Sequence, residues 1–140
     1  MSRPSEHEVL MECAAAWAQR STCSRLSVGC VLSRDGRIVS TGYNGAPEGM
    51  VHCEHGGDSP CELSVHAEAN AIANAAYQGI GLARSVCHVT HFPCASCAKL
   101  LVAAGVCAVY WAEEYRDTAL AEKIFAEAAV ATVRIGRWTA

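Results

Sequence analysis

The chain has 140 residues, which is the usual size of one domain and enough to bury a core without disulfide bonds. Hydrophobic residues make up 51% of it and charged residues only 18%, which argues against a disordered chain. The formal net charge of −3 gives no support for a protein that tracks the phosphates of a nucleic acid. We therefore expect a single domain over residues 1–140 that does not bind nucleic acid.

Cysteine is unusually frequent, with nine residues, and an odd number cannot be fully paired in disulfide bonds. Residues 1–8 are polar and lack the apolar core of a signal peptide. No apolar run approaches the roughly 20 residues of a membrane span. These features predict a cytoplasmic protein without membrane contact, whose cysteines bind metal or pack in the core.

Residue periodicity predicts nine elements in the order α-β-β-α-β-α-β-α-β, at residues 5–19, 27–32, 37–43, 65–78, 85–90, 94–104, 106–111, 118–129 and 130–135. Ser5 and Glu8 have the spacing of a capping box. The apolar residues at helical spacing behind them are Val9, Leu10, Cys13, Ala16 and Trp17. Asp35 and Gly36 form a hairpin turn signal between the first two strands. A hairpin followed by repeated α/β units predicts a mixed sheet with helices on both faces.

Two short motifs carry the chemistry. His66 and Glu68 form an H-x-E motif on the alanine-rich helix, and Pro93, Cys94 and Cys97 form a P-C-x-x-C motif at the next helix start. Together they are the signature of zinc deaminases. One histidine and two cysteines supply three zinc ligands and leave the fourth tetrahedral position open.

Glu68 lies two residues beyond His66, so a regular helix does not direct it to the same metal ion. It is placed instead to act as a general acid and base on the reacting water. Taken alone, Cys94 and Cys97 could be a redox pair, and His66 could be a core histidine. Their joint occurrence, with Pro93 and the preceding strand, favours the zinc site.

Four stretches resemble the cytidine-deaminase-like superfamily and, within it, the dCMP deaminases. They are C-x-R-x-x-V-G at 23–29, G-Y-N-G-x-P at 42–47, H-A-E-x-N-A-I at 66–72 and T-x-x-P-C-x-x-C at 90–97. The resemblance implies an α/β fold, a three-layer α-β-α sandwich around a five-stranded mixed sheet. It also implies a homo-oligomer, commonly a hexamer, that hydrolyses dCMP to dUMP and ammonia and so supplies dTMP synthesis.

By this resemblance His66, Cys94 and Cys97 are the ligands of a catalytic zinc ion, and Glu68 is the proton shuttle. Asn44 falls on a loop residue that holds the sugar or the nucleotide.

Three further residues are weaker candidates for substrate binding. The guanidinium of Arg25 matches a 5′-phosphate, although it could equally be a solvated surface group. Ser24 is its neighbour. Tyr115 could cover the base or contact the phosphate, or be an ordinary half-buried aromatic residue. His91 lies beside the site by sequence.

A second metal site is predicted around the Gly-rich loop. Cys23, Cys53 and Cys61 lie where many dCMP deaminases hold a structural zinc ion, and His55 or His52 could complete four ligands. The alternative is that these thiols are reduced and unliganded. The remaining cysteines outside both sites are predicted to be small core residues, namely Cys13, Cys30, Cys87 and Cys107.

Two rival functions remain open. One is another deaminase of the same scaffold, acting on tRNA adenosine, guanine, a nucleoside or a modified dCMP. The other is a non-catalytic zinc-binding module, which would have no use for Glu68. Asn74 and Tyr77 stand on the long helix where a regulated enzyme would be expected to carry a basic residue, which leaves control by dCTP and dTTP open.

Overall fold

The computed structural model describes residues 2–52 and 62–136. The helices are α1 (Glu6–Ala18), α2 (Ala67–Gln78), α3 (Ala95–Ala104) and α4 (Ala119–Glu127). The strands are β1 (Gly29–Arg34), β2 (Arg37–Tyr43), β3 (Val86–His91), β4 (Ala108–Glu113) and β5 (Ala131–Arg134). The predicted order of elements is confirmed, with boundaries that move by one or two residues.

The five strands form one mixed sheet in the order β2-β1-β3-β4-β5. β1 is antiparallel to both β2 and β3, whereas β3, β4 and β5 are parallel to one another. Helix α1 packs on one face, and we call this the α1 face. Helices α2, α3 and α4 contribute to the core on the other, which we call the catalytic face. The predicted three-layer α-β-α sandwich is therefore confirmed.

The β1–β2 hairpin contains both a tight turn and a bulge. Asp35 and Gly36 have positive φ angles of 54° and 75°, as the two central residues of a type I′ turn require. The pairing then shifts by one residue, because Ser33 pairs with Ile38 whereas Leu32 pairs with Ser40. Val39 is therefore the extra residue of a β-bulge.

Two glycines let helices approach the sheet closely, one on each face. A Cβ atom on Gly29 would lie within 3 Å of the Ala14 carbonyl and the Ala18 amide of α1. A Cβ atom on Gly42 would come equally close to the backbone of Ala67 and Ala71 in α2. Both glycines belong to stretches that carry the family resemblance, and their role there is steric.

Helix α1 begins as predicted but buries a different stripe. Ser5 and Glu8 make both hydrogen bonds of the capping box. Val9 and Trp17, two of the apolar residues at helical spacing, are 46% and 40% exposed, so this spacing does not mark the buried face of the helix. The buried residues are Leu10, Met11, Ala14, Ala15 and Ala18. The small alanines fit beneath a backbone held close by Gly29, where a tryptophan would not.

A histidine cluster is buried under α1. His88 of β3 is fully buried, and its Nε2 lies 3.1 Å from Nδ1 of His7. The Tyr110 ring stacks against both imidazoles, with centroids 4.0 Å from His7 and 4.9 Å from His88. Burial, and then the nearby His7, lower the pKa of His88 to about 4, so its ring is neutral at pH 7.

The core cysteines are partly as predicted. Cys30 and Cys87 are fully buried on neighbouring strands, with their sulfur atoms 3.6 Å apart. Cys13 is half-buried. Cys107 is exposed, so its predicted core position is wrong, because β4 begins only at Ala108. Within residues 2–52 and 62–136, no helix combines the length and apolar character that crossing a membrane requires.

Candidate active site and metal centre

The N-terminal ends of α2 and α3 lie close together, and this brings the H-x-E and P-C-x-x-C motifs together. His66 is the N-cap residue of α2, and Cys94 is the N-cap residue of α3. Cys97 follows in the first turn of α3 and is buried. The sequence placed His66 and Cys94 inside the helices, but both have extended backbone angles, which turn their side chains toward each other.

The three predicted ligands have the spacing of a metal site. Nδ1 of His66 lies 3.4 Å from Sγ of Cys94 and 3.4 Å from Sγ of Cys97. Tetrahedral zinc, about 2.3 Å from sulfur and about 2.0 Å from nitrogen, would hold such atoms about 3.5 Å apart. In the part of the chain that the structure describes, this is the one group of three or more such side chains close enough to share a metal ion. The residues therefore fit zinc.

The charges at this group also suit a cation. Contacts with Cys97 and with His66 lower the pKa of Cys94 to about 4, which makes it a thiolate at neutral pH. The pKa of Cys97 is raised well above its usual value by the adjacent Cys94 and by burial. Contact with Cys94 raises the pKa of His66. The two sulfur atoms thus share one negative charge, and a divalent cation would favour loss of the second thiol proton.

Glu68 is a buried carboxyl group beside these ligands. It is 4% exposed and lies in the first turn of α2. Burial raises its pKa to about 7. A carboxyl group with that pKa can exchange a proton in either direction near neutral pH, which is what a general acid and base requires.

A pocket opens over Glu68 and two of the candidate metal ligands, His66 and Cys94. The apolar part of its wall consists of Leu26, Val28, Ala67 and Phe92. Its remaining wall, apart from Glu68 and the candidate metal ligands His66 and Cys94, is formed by Cys23, Arg25, Asn44, Ser64, His91 and Tyr115.

Asn44 lines this pocket, but its amide also holds the wall together. Its Oδ1 accepts a hydrogen bond from the Val28 amide at 2.8 Å, and its Nδ2 donates to the Leu26 carbonyl at 2.6 Å. One N–H and one oxygen lone pair remain for a ligand. Asn44 therefore fixes the 26–28 segment as well as facing the pocket.

Arg25 and Tyr115 meet at the pocket wall although they are 90 residues apart in sequence. Nη2 of Arg25 donates a hydrogen bond to the Tyr115 hydroxyl at 3.3 Å. The sequence proposed both residues separately and gave no signal for this contact. Ser24, the third candidate, is exposed and is not among the lining residues.

The predicted second zinc site cannot be placed as a whole. Cys53, His55 and Cys61 lie outside the described residues. Cys23 is described, and its side chain is half-buried at the wall of the pocket.

Sequence reasoning missed two contributors. Ser64 lines the pocket two residues before His66, and its polar character beside the motif was the available signal. Thr90 accepts a hydrogen bond from the Gly29 amide at 3.1 Å, which ties the end of β3 to the start of β1. A contact of this kind between distant residues has no local sequence signal.

Comparison with known proteins agrees with this geometry. The model of the cytidine and deoxycytidylate deaminase zinc-binding region matches residues 4–113. ComE operon protein 2 of Bacillus subtilis is 38% identical over 139 residues, covering 96% of this chain and 74% of that protein. The deoxycytidylate deaminase of Saccharomyces cerevisiae is 32% identical over 144 residues, and this chain spans only 46% of its length.

A solved structure is also similar over nearly the whole chain. The dCMP deaminase of the cyanophage S-TIM5, in complex with dCMP and dUMP, superposes with a TM-score of 0.88 at 31% identity. The match covers 96% of this chain and 100% of the phage protein. The chain belongs to the cytidine and deoxycytidylate deaminase family.

Proposed function

We propose that this protein is a dCMP deaminase, which hydrolyses dCMP to dUMP and ammonia in pyrimidine deoxynucleotide metabolism and so supplies dUMP for dTMP synthesis. Its similarity to a phage enzyme solved with dCMP and dUMP supports the choice of substrate. The observation that carries the chemistry is Glu68, a buried carboxyl group that lines an open pocket beside three zinc-compatible side chains.

His66, Cys94 and Cys97 are the residues that would hold the catalytic zinc ion. When bound, zinc acts as a Lewis acid that lowers the pKa of water from 15.7 to about 7. Glu68 accepts a proton from the attacking water and delivers it to N3, the ring nitrogen next to the attacked C4. It then carries the second water proton to the departing amino group, so that ammonia leaves and a carbonyl forms at C4.

Substrate binding is assigned to residues around the same pocket. Arg25 is positioned to contact the 5′-phosphate, because a guanidinium group pairs well with phosphate oxygens and its partner Tyr115 limits its movement. The remaining hydrogen-bonding capacity of Asn44 suits a sugar hydroxyl group. Ser24 is assigned to substrate binding only through its place beside Arg25, since it is exposed and does not line the pocket.

We further propose a single deaminase domain over residues 1–140, acting in the cytoplasm as a homo-oligomer, with a hexamer favoured. A structural zinc ion would be bound by Cys23, Cys53 and Cys61 with His55. Metal analysis of the purified protein is expected to give two zinc ions per chain and one after Cys53→Ser. A single zinc ion that survives this substitution would exclude the structural site.

The function is tested by measuring ammonia release from dCMP, CMP, deoxycytidine, cytosine, guanine and adenosine with the zinc-loaded protein. We expect dCMP to be the preferred substrate. Preference for an unphosphorylated nucleoside or for a purine would replace the proposed function with that of another deaminase. Release from none of them by a protein that holds zinc would favour a non-catalytic zinc module.

A further inference from the structure

His91 lines the pocket, and its Nδ1 atom is hydrogen-bonded to the Thr90 hydroxyl. It is the last residue of β3, and it lies on the same side of the strand as Cys87 and Val89, which are buried in the core of the catalytic face. Its side chain therefore emerges at the carboxyl end of β3, the end of a strand where open α/β sheets bind ligands. It lines the pocket together with Glu68 and Tyr115.

The Thr90 hydroxyl indicates which nitrogen of His91 carries the proton. Oγ1 of Thr90 accepts a hydrogen bond from the Gly29 amide at 3.1 Å and lies 2.9 Å from Nδ1 of His91. A hydroxyl group has one proton to donate, and Thr90 is buried with no other acceptor among the described residues. We therefore assign the hydroxyl proton to the bond with Nδ1, and this assignment leaves the His91 proton on Nε2.

With its one proton on Nε2, the His91 ring is neutral. Burial lowers the pKa of His91, and the Glu113 carboxylate on the neighbouring strand opposes that shift to a smaller extent. In the described part of the chain, Nε2 makes no hydrogen bond. A neutral N–H donor at the wall of a nucleotide pocket matches the acceptor oxygens of a pyrimidine nucleotide, which need donors once they leave water.

We propose that His91 binds the substrate, by donating a hydrogen bond from Nε2–H to an oxygen of the nucleotide outside the reacting C4 amino group. This rests on the proposed function. The oxygen is either on the phosphate or on the deoxynucleoside, and the two positions are distinguished by the substrates of the test. Glu68 and the metal ligands retain their roles in the chemical step.

The test compares His91→Leu with His91→Gln in the zinc-loaded protein. Loss of one neutral hydrogen bond should lower kcat/KM for dCMP about tenfold in His91→Leu. His91→Gln should stay within about threefold of wild type, because its side-chain amide can donate from a similar position. Zinc content should be unchanged in both. A loss confined to dCMP places the oxygen on the phosphate, and an equal loss for deoxycytidine places it on the nucleoside.

Glu113→Gln is the matched control, since it removes the charge beside His91 without changing the imidazole. We expect it to retain wild-type kcat/KM. The inference fails if His91→Leu is as active as wild type, or if His91→Gln loses as much as His91→Leu. It also fails if Glu113→Gln alone reproduces the loss, because His91 would then act through that carboxylate.

A binding measurement keeps the inference separate from the proposed function. In ¹⁵N spectra of the histidine side chains, the His91 signals are identified by their absence in His91→Gln. Nε2 should appear protonated, and Thr90→Val should weaken that preference whereas Thr90→Ser should retain it. Addition of dCMP should shift the Nε2–H signal. A shift without dCMP turnover would overturn the proposed function alone, and no shift in an active enzyme would overturn the role of His91 alone.

Discussion

The two faces of the sheet both bury ionisable side chains, and burial shifts their pKa values in opposite directions. On the catalytic face the pKa of Glu68 rises to about 7, and on the α1 face that of His88 falls to about 4. In each case burial disfavours the charged form. The difference lies in access, because Glu68 adjoins an open pocket whereas His88 is enclosed by His7, Tyr110 and α1. A shifted pKa therefore indicates catalysis only where a ligand can reach the group.

The largest effect is expected from Glu68→Gln, which keeps the shape of the side chain and removes its proton transfer. Turnover of dCMP should fall by about 10²–10⁴-fold, because positioned acid and base groups typically contribute that much. Zinc content and thermal unfolding should be unchanged. Activity within about tenfold of wild type would remove Glu68 as the proton shuttle.

On the α1 face the expected effect is on stability. The pKa of His88 is about 4 in the folded protein and about 6.5 when unfolded, so the unfolded chain binds more protons between these values. The free energy of unfolding should therefore fall by about 3 kcal/mol as the pH drops from 7 to 4 on account of this residue.

Urea unfolding at several pH values measures this contribution as the difference between wild type and His88→Leu. The variant should lose less stability than wild type on acidification, and kcat/KM for dCMP at pH 7 should not change. Equal pH dependence in wild type and His88→Leu would contradict the burial argument.

Arg25→Ala changes a residue of the pocket and is expected to have a smaller effect on kcat/KM than Glu68→Gln. A charge-assisted contact between arginine and phosphate is worth about 1.5–3 kcal/mol, or roughly ten- to a hundredfold in kcat/KM. The loss should appear with dCMP and not with deoxycytidine, which has no phosphate. Steady-state kinetics on both substrates decides this. Equal losses on both would show that Arg25 acts through the structure of the wall.

The smallest effect is expected from Ser5→Ala, which removes the capping box of α1. The free energy of unfolding should decrease by about 1 kcal/mol. Because α1 packs on the face opposite the pocket, kcat/KM for dCMP should be unchanged. A kinetic defect without a change in zinc content would show that the two faces are coupled more closely than their contacts indicate.

The order of elements and the grouping of His66, Cys94 and Cys97 could be predicted because their signals are local. The turn at Asp35 and Gly36 and the motifs around His66 and Cys94 each lie within a few residues of sequence. The buried face of α1 could not be identified from the sequence because small alanines form most of it, whereas the larger apolar residues Val9 and Trp17 are exposed.

Hydrogen bonds between residues that are far apart in the chain could not be predicted from the sequence. The Arg25–Tyr115 hydrogen bond, the amide of Asn44 inside the pocket wall and the bond from the Gly29 amide to Thr90 all depend on which strands are neighbours. Residues chosen separately for their chemistry thus turned out to be partners. The segment with Cys53 and Cys61 lies outside the described residues, so its metal site stays a prediction.

The bulge at Val39 bears on how this strand tolerates insertions and deletions. Val39 packs toward the catalytic face, as does the next residue, Ser40, whose hydroxyl donates to the Ala71 carbonyl. Removing Val39 would leave a regular ladder in which Cys30 still pairs with Gly42. We therefore expect that β2 can lose one residue at the bulge without changing the strand pairing of Gly42 or the position of Asn44.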